Sequence, residues 1–68
     1  MKITYDKEAD ALYIKLKEYA VDKTKEVDKN LIVDYDKAGE IIGIEILFVK
    51  ERMPRLLNDI QVENLIVA

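Results

Sequence analysis

Polar and apolar residues alternate over Lys2–Tyr5 and again over Ala11–Leu16, the period of a half-buried strand. Ile3 and Tyr5 fall on one face, and Leu12, Ile14 and Leu16 can join them. The polar stretch from Asp6 to Asp10 predicts a hairpin turn, because an Asp side chain accepts bonds from amides just downstream. Thirty residues later the pattern returns: Ile3–Leu16 aligns without a gap on Val33–Ile46, sharing Tyr-Asp-Lys and a later Ile. The chain therefore predicts two similar β-hairpins, at 3–16 and 33–46.

In the second hairpin Leu31, Val33 and Tyr35 share a face, and Asp36-Lys37-Ala38-Gly39 suits a type I turn ending on a left-handed glycine. Asp6, Asp36 and Gly39 are thus the structural turn residues. Glu40–Val49 is the longest apolar segment, with Ile42, Ile44, Ile46 and Phe48 on one side and Ile41, Gly43, Glu45 and Leu47 on the other. Apolar residues on both sides predict a strand covered on both faces. Gly43 inside it marks a bulge or a close approach of another group. Between the hairpins, Thr24–Val27 reads as a short strand and Asp28-Lys29-Asn30 as a tight turn. Pro54 suits the first turn of a helix, and Met53, Leu56, Leu57 and Ile60 have helical spacing. A short helix over Pro54–Asp59 is expected, covering the second face of the sheet, with Val62–Val67 a last strand or a docking tail.

The fold class that follows is α+β, mostly β: an antiparallel meander of four to five strands built from two hairpins, with a short C-terminal helix. One domain spans 1–68. If all strands share a sheet, Ala11, Tyr13, Ile32, Ile41 and Leu47 lie opposite Ile3, Leu12 and Val33. One short helix hides only part of that surface. Burying a Val- or Ile-sized side chain is worth roughly 1.5–3 kcal/mol, so the remainder drives association. Tyr13, Ile32, Ile41 and Leu47 are the candidate interface of a homo-oligomer, with a dimer favoured.

Size and composition strengthen that expectation. A chain of 68 residues removes only about 60% of its unfolded surface from water, and it has no Cys for a disulfide. It has no His either, which disfavours zinc. The Lys/Glu-rich usage, poor in labile side chains, resembles that of thermophile proteins. A net charge of −3 repels phosphate backbones, disfavours nucleic acid and suits a basic protein partner. No apolar run reaches the ~20 residues that span a bilayer. Asp6, Lys7, Glu8 and Asp10 interrupt any signal-peptide core, so a cytoplasmic protein outside the membrane is expected.

Catalytic chemistry finds little material. Ser, Cys and His are absent, so no Ser-His-Asp or Cys-His arrangement exists within the chain, and two glycines cannot build a phosphate loop. Carboxylates gather in exposed turns, which supply neither the desolvation nor the cleft that shifts a pKa. Asp34–Glu45 imitates much of an EF-hand calcium loop, yet Ala38 replaces an oxygen ligand and the flanks read as strands rather than helices. Tyr5 and Tyr35, at equivalent places before the turns, are expected to lay their rings over the sheet with hydroxyls at the rim.

The segments Tyr5-Asp6-Lys7-Glu8-Ala9-Asp10-Ala11-Leu12-Tyr13-Ile14 and Val33-Asp34-Tyr35-Asp36-Lys37-Ala38-Gly39-Glu40-Ile41-Ile42-Gly43-Ile44-Glu45-Ile46-Leu47 resemble the YDxEADALYI and VDYDxxGxIIGIEIL signatures of a small prokaryotic family of unknown function. The resemblance covers about residues 1–49. It implies a compact β-rich domain, carries over no catalytic residue or cofactor, and associates some members with antitoxin-like pairing to small neighbouring proteins.

The expected function is therefore a non-catalytic protein–protein interaction module, an antitoxin-like partner of a small basic protein being one form of it. The alternative is a small-molecule or metal-binding domain using turn carboxylates and tyrosines. It would require a concave site where Tyr5 or Tyr35 meets those carboxylates. No enzyme activity, cofactor or metal is expected.

Overall fold

The computed structural model describes residues 1–56 and the backbone of 65–67. The described elements are strands β1 (Lys2–Asp6), β2 (Ala11–Lys15), β3 (Lys23–Asp28), β4 (Leu31–Tyr35), β5 (Ile41–Leu47) and β6 (Leu65–Val67) and a short helix, α1 (Val49–Arg52). They form one sheet of order β3-β4-β5-β2-β1-β6, antiparallel throughout β1–β5, with β6 parallel to β1. The mostly-β α+β class and the two hairpins, β1-β2 and β4-β5, are as the alternation predicts.

The hairpins meet through their second strands, and Ile14 pairs directly with Ile44, its equivalent in the repeat. A pseudo-twofold axis thus passes between these two residues, relating β1-β2 to β4-β5. Sequence order does not run straight across the sheet. After β2 the chain crosses to the far edge to enter β3, tied there by Leu16 N–H to Ile42 O (2.9 Å) and Asp22 N–H to Tyr35 O (2.8 Å).

Each turn is organised by its Asp. The Asp6 Oδ1 accepts from Glu8 N (3.0 Å) and Ala9 N (3.3 Å), and the Asp36 Oδ1 accepts from Ala38 N (2.9 Å) and Glu40 N (3.0 Å). Gly39 takes φ +84°, closing a type I turn with a left-handed residue as its sequence predicts. Register slips between Asp34 and Tyr35, which skips Ile42, the bulge that Gly43 foreshadows.

Directly opposed residues share a face. One face carries Ile3, Ile14, Ile44 and Val33 in one row and Tyr5, Leu12, Ile46 and Leu31 in the next. Ile3, Tyr5, Leu12 and Val49 form the buried cluster here, with Ile14, Ile46 and Leu56 packed against it. Helix α1, which the sequence reading did not foresee, caps the Ile3–Leu12 face, and Leu56 of the expected Pro54–Asp59 helix packs on that same face, not on the opposite one expected for it. α1 ends before Pro54 and is a separate element from the helix expected over Pro54–Asp59. Strand β5 stops at Leu47, and Phe48 turns out of the strand row into the left-handed region (φ 57°) instead of joining Ile42, Ile44 and Ile46. Pro54 and Arg55 lie in a turn. Leu56 is helical; 57–59 of the expected Pro54–Asp59 helix, and 62–64 of the expected last strand, lie outside the described residues.

Phe48 offers no side-chain cap to α1. Asp10 does so from 40 residues away: its Oδ1 accepts from Lys50 N at 2.9 Å, its Oδ2 at 3.1 Å, and its carbonyl from Val49 N at 3.2 Å. Amides at a helix start lack intrahelical acceptors, so this contact fixes where the helix can begin. Among the described residues, no helix is long and apolar enough to cross a membrane.

Candidate functional site

Among the described residues, the face opposite α1 is a set of three rows. Lys2, Lys15, Gly43, Asp34 and Thr24 make the first; Thr4, Tyr13, Glu45, Ile32 and Glu26 the second; Asp6, Ala11 and Leu47 the third. Three of the four candidate interface residues, Tyr13, Ile32 and Leu47, share this surface, each half-buried. Ile41 stands apart. It pairs with Tyr35 beyond the bulge and is 44% exposed.

Tyr13 is the centre of the face. Its ring lies across Gly43, where an added Cβ would overlap the hydroxyl and stand 2.7 Å from Cζ. From there the hydroxyl donates to Asp34 Oδ2 at 2.7 Å, and Thr24 Oγ1 donates to Asp34 Oδ1 at 2.6 Å. One side chain thus spans from β2 over β5 to β4, and a second joins β3. Burial, then the bond to Asp34, pushes the Tyr13 phenol up to about 12. It is a structural donor with a satisfied partner, held neutral at ordinary pH.

Tyr5 also departs from the rim position expected of it. It is 2% exposed, and its hydroxyl turns to Asp10 Oδ1 at 2.7 Å. That bond and burial raise the phenol to about 12, while the Lys50 amide and the Tyr5 hydroxyl lower the Asp10 carboxyl. Both groups are consumed in joining turn, core and helix. Asp6 and Asp36 are occupied by their turn amides. Among the described residues, no three of His, Cys, Asp and Glu gather where they could hold a metal ion. The calcium-loop imitation at Asp34–Glu45 lies in β4, its turn and β5.

Tyr35 is different. It borders a cleft of about 320 Å³ with Asp22, Lys23, Lys25, Asp36 and Lys37. Lys25 pairs with Val33 and Lys23 with Tyr35, which puts the cleft on the helix-bearing face at the β3 edge. A second hollow of about 330 Å³, walled by Tyr19, Ala20, Val21 and Ala38, shares Asp22, Asp36 and Lys37 with it. This is the concave site with Tyr35 and carboxylates that the alternative function requires, although lysines outnumber the acids. Sequence reasoning missed those lysines. The Lys-x-Lys spacing of Lys23 and Lys25 in an exposed strand was the available signal.

No curated protein and no solved structure matches the chain. The profile of the family described as "Protein of unknown function (DUF2283)" matches residues 2–50, from β1 into α1, and the chain belongs to that family.

Proposed function

We propose that this protein is a non-catalytic association module whose sheet face opposite α1 seats a second copy of the same chain. The observation that carries the reading is the position of Tyr13, Ile32 and Leu47 on a face that α1 leaves open. Domains bury a sheet face against a second layer. Here the molecule measures 34 × 27 × 18 Å, thin in the direction where a further layer would stack. Its two broad dimensions accommodate the ~800 Å² per partner of a standard interface.

Charge favours self-pairing. Lys2 and Lys15 oppose each other on β1 and β2, whereas Asp34, Glu45 and Glu26 lie on β4, β5 and β3. A twofold axis along the strands stacks the basic half of one copy on the acidic half of the other. Such an isologous contact is self-complementary and closed.

Sedimentation velocity at micromolar concentration tests this, with dimer expected. Leu47→Asp should give a monomer with unchanged far-UV circular dichroism. Glu45→Lys should weaken the dimer, and adding Lys15→Glu should restore it. A monomeric wild-type chain at every concentration overturns the proposal.

A further inference from the structure

We infer that the cleft between Lys23, Lys25, Lys37 and Tyr35 binds a small phosphomonoester whose apolar or aromatic body lies in the adjoining Tyr19–Val21 hollow. The site is separate from the proposed dimer face, so either reading can fail without the other.

Unpaired charge is the first observation. In a chain of net charge −3, three ammonium groups border one cleft. Among the described residues, none of the three forms an ion pair. The acids nearby are largely spoken for. Asp36 is 9% exposed, and its Oδ1 serves two backbone amides of its own turn. Glu40 is held by Lys17 Nζ at 3.1 and 3.2 Å, a contact that raises the Lys17 pKa. Asp22 and Asp36 both line the cleft, so three lysines against two carboxylates leave it one positive charge in excess. Lysine binds phosphate as a flexible point charge, and three of them match a dianion better than a carboxylate monoanion.

The second observation is the neighbouring hollow. It shares Asp22, Asp36 and Lys37 with the cationic cleft, so a charged hollow and a mainly apolar one lie side by side. Lys17 lies 5.8 Å from the centroid of Tyr19 and steadies that ring as a wall. Small-molecule sites combine apolar lining with a few convergent polar groups in just this way.

Edge protection explains part of the pattern. Lysines on an outer strand discourage pairing with another sheet, and β3 is such a strand. That account covers Lys23 and Lys25. It does not cover Lys37, which stands in the β4–β5 turn, or the apolar hollow beside it.

Titration of the ¹⁵N-labelled chain with phenyl phosphate, inorganic phosphate and benzoate tests the inference. Phenyl phosphate should saturate with a dissociation constant on the order of 0.1–1 mM, at least about tenfold tighter than either other probe. Amide shifts should concentrate on 19–25 and 35–39. Lys25→Glu and Lys37→Glu should each weaken phenyl phosphate about tenfold, while Lys7→Glu changes nothing. Equal affinity for phenyl phosphate and inorganic phosphate, shifts spread over Lys2, Lys7, Lys29 and Lys50, or no saturable binding each overturns it.

Discussion

The ring of Tyr13 fills the space that a side chain at Gly43 would need. These two residues hold equivalent positions in the two hairpins, thirty residues apart, on either side of the pseudo-twofold axis between Ile14 and Ile44. Two large side chains there would compete for the same volume above the axis. The chain resolves the conflict by placing a tyrosine on one hairpin and nothing on the other. Symmetry is broken where it would be sterically impossible, and the freed path lets Tyr13 reach Asp34.

Gly43→Ala should therefore destabilise the fold by about 1–3 kcal/mol, the range for overpacking a tight site. Backbone preference pulls the other way, since Ala in a strand is favoured over Gly by roughly 0.5–1 kcal/mol. The overlap wins while the ring is present. In a Tyr13→Ala background the sign should reverse, with Gly43→Ala becoming stabilising by roughly 0.5–1 kcal/mol. Urea denaturation of the four proteins in this cycle measures both effects, and a cost unchanged by Tyr13→Ala would disprove the steric account.

Gly39 makes the opposite case. An added Cβ there meets nothing within 4 Å, but φ is +84°. Gly39→Ala should cost about 1 kcal/mol from backbone strain alone, and Gly39→Asn less, because Asn tolerates the left-handed region. Equal losses for the two variants in thermal melts would show that the turn conformation is not what selects glycine.

Much of this architecture is legible along the chain, for a physical reason. Alternation and turn chemistry are local, so Asp6, Asp36 and Gly39 identify both hairpins before any contact is known. The strand order is not local. It depends on Ile14 meeting Ile44, which the repeat allows but does not compel. Phe48 continues the apolar alternation of Ile42, Ile44 and Ile46, yet leaves the strand because Asp10, distant in sequence, supplies a helix cap. The lysine cleft was hidden in the same way. Lys23 and Lys25 join Lys37 only after β3 pairs with β4.

That distant cap gives a ranking of variants. Asp10 adopts φ 52° while its carboxylate accepts from Lys50 N and the Tyr5 hydroxyl. Asp10→Asn keeps an acceptor and tolerates the backbone, so its melting temperature should fall least. Asp10→Gly relieves the backbone but deletes the acceptor, and Asp10→Ala loses on both counts. Faster amide exchange at Lys50 should accompany Gly and Ala but not Asn. If Asn melts no higher than Gly, the cap is not what holds α1 in place.

Stability should fall at both ends of the pH scale, for separable reasons. Tyr5 and Tyr13 are raised from 10.0 to about 12, so the folded chain keeps phenolic protons that the unfolded chain releases. Their contribution is complete below 10.0 and is lost as pH rises through about 12. Lys17 is also raised, from 10.5, and acts with the same sign. Asp10 is lowered from 3.8, so its contribution is present above that value and disappears as pH falls through the folded-state pKa. Urea midpoints across the alkaline range should drop less steeply for Tyr13→Phe than for wild type. Asp10→Asn should flatten the acid limb and also soften the alkaline one, because the Asp10 carboxylate is the main cause of the raised Tyr5 phenol. Because the two phenols bond to different carboxylates, Tyr5→Phe and Tyr13→Phe should flatten the alkaline limb additively. An alkaline limb identical in the double variant and wild type would assign that loss of stability to lysines instead.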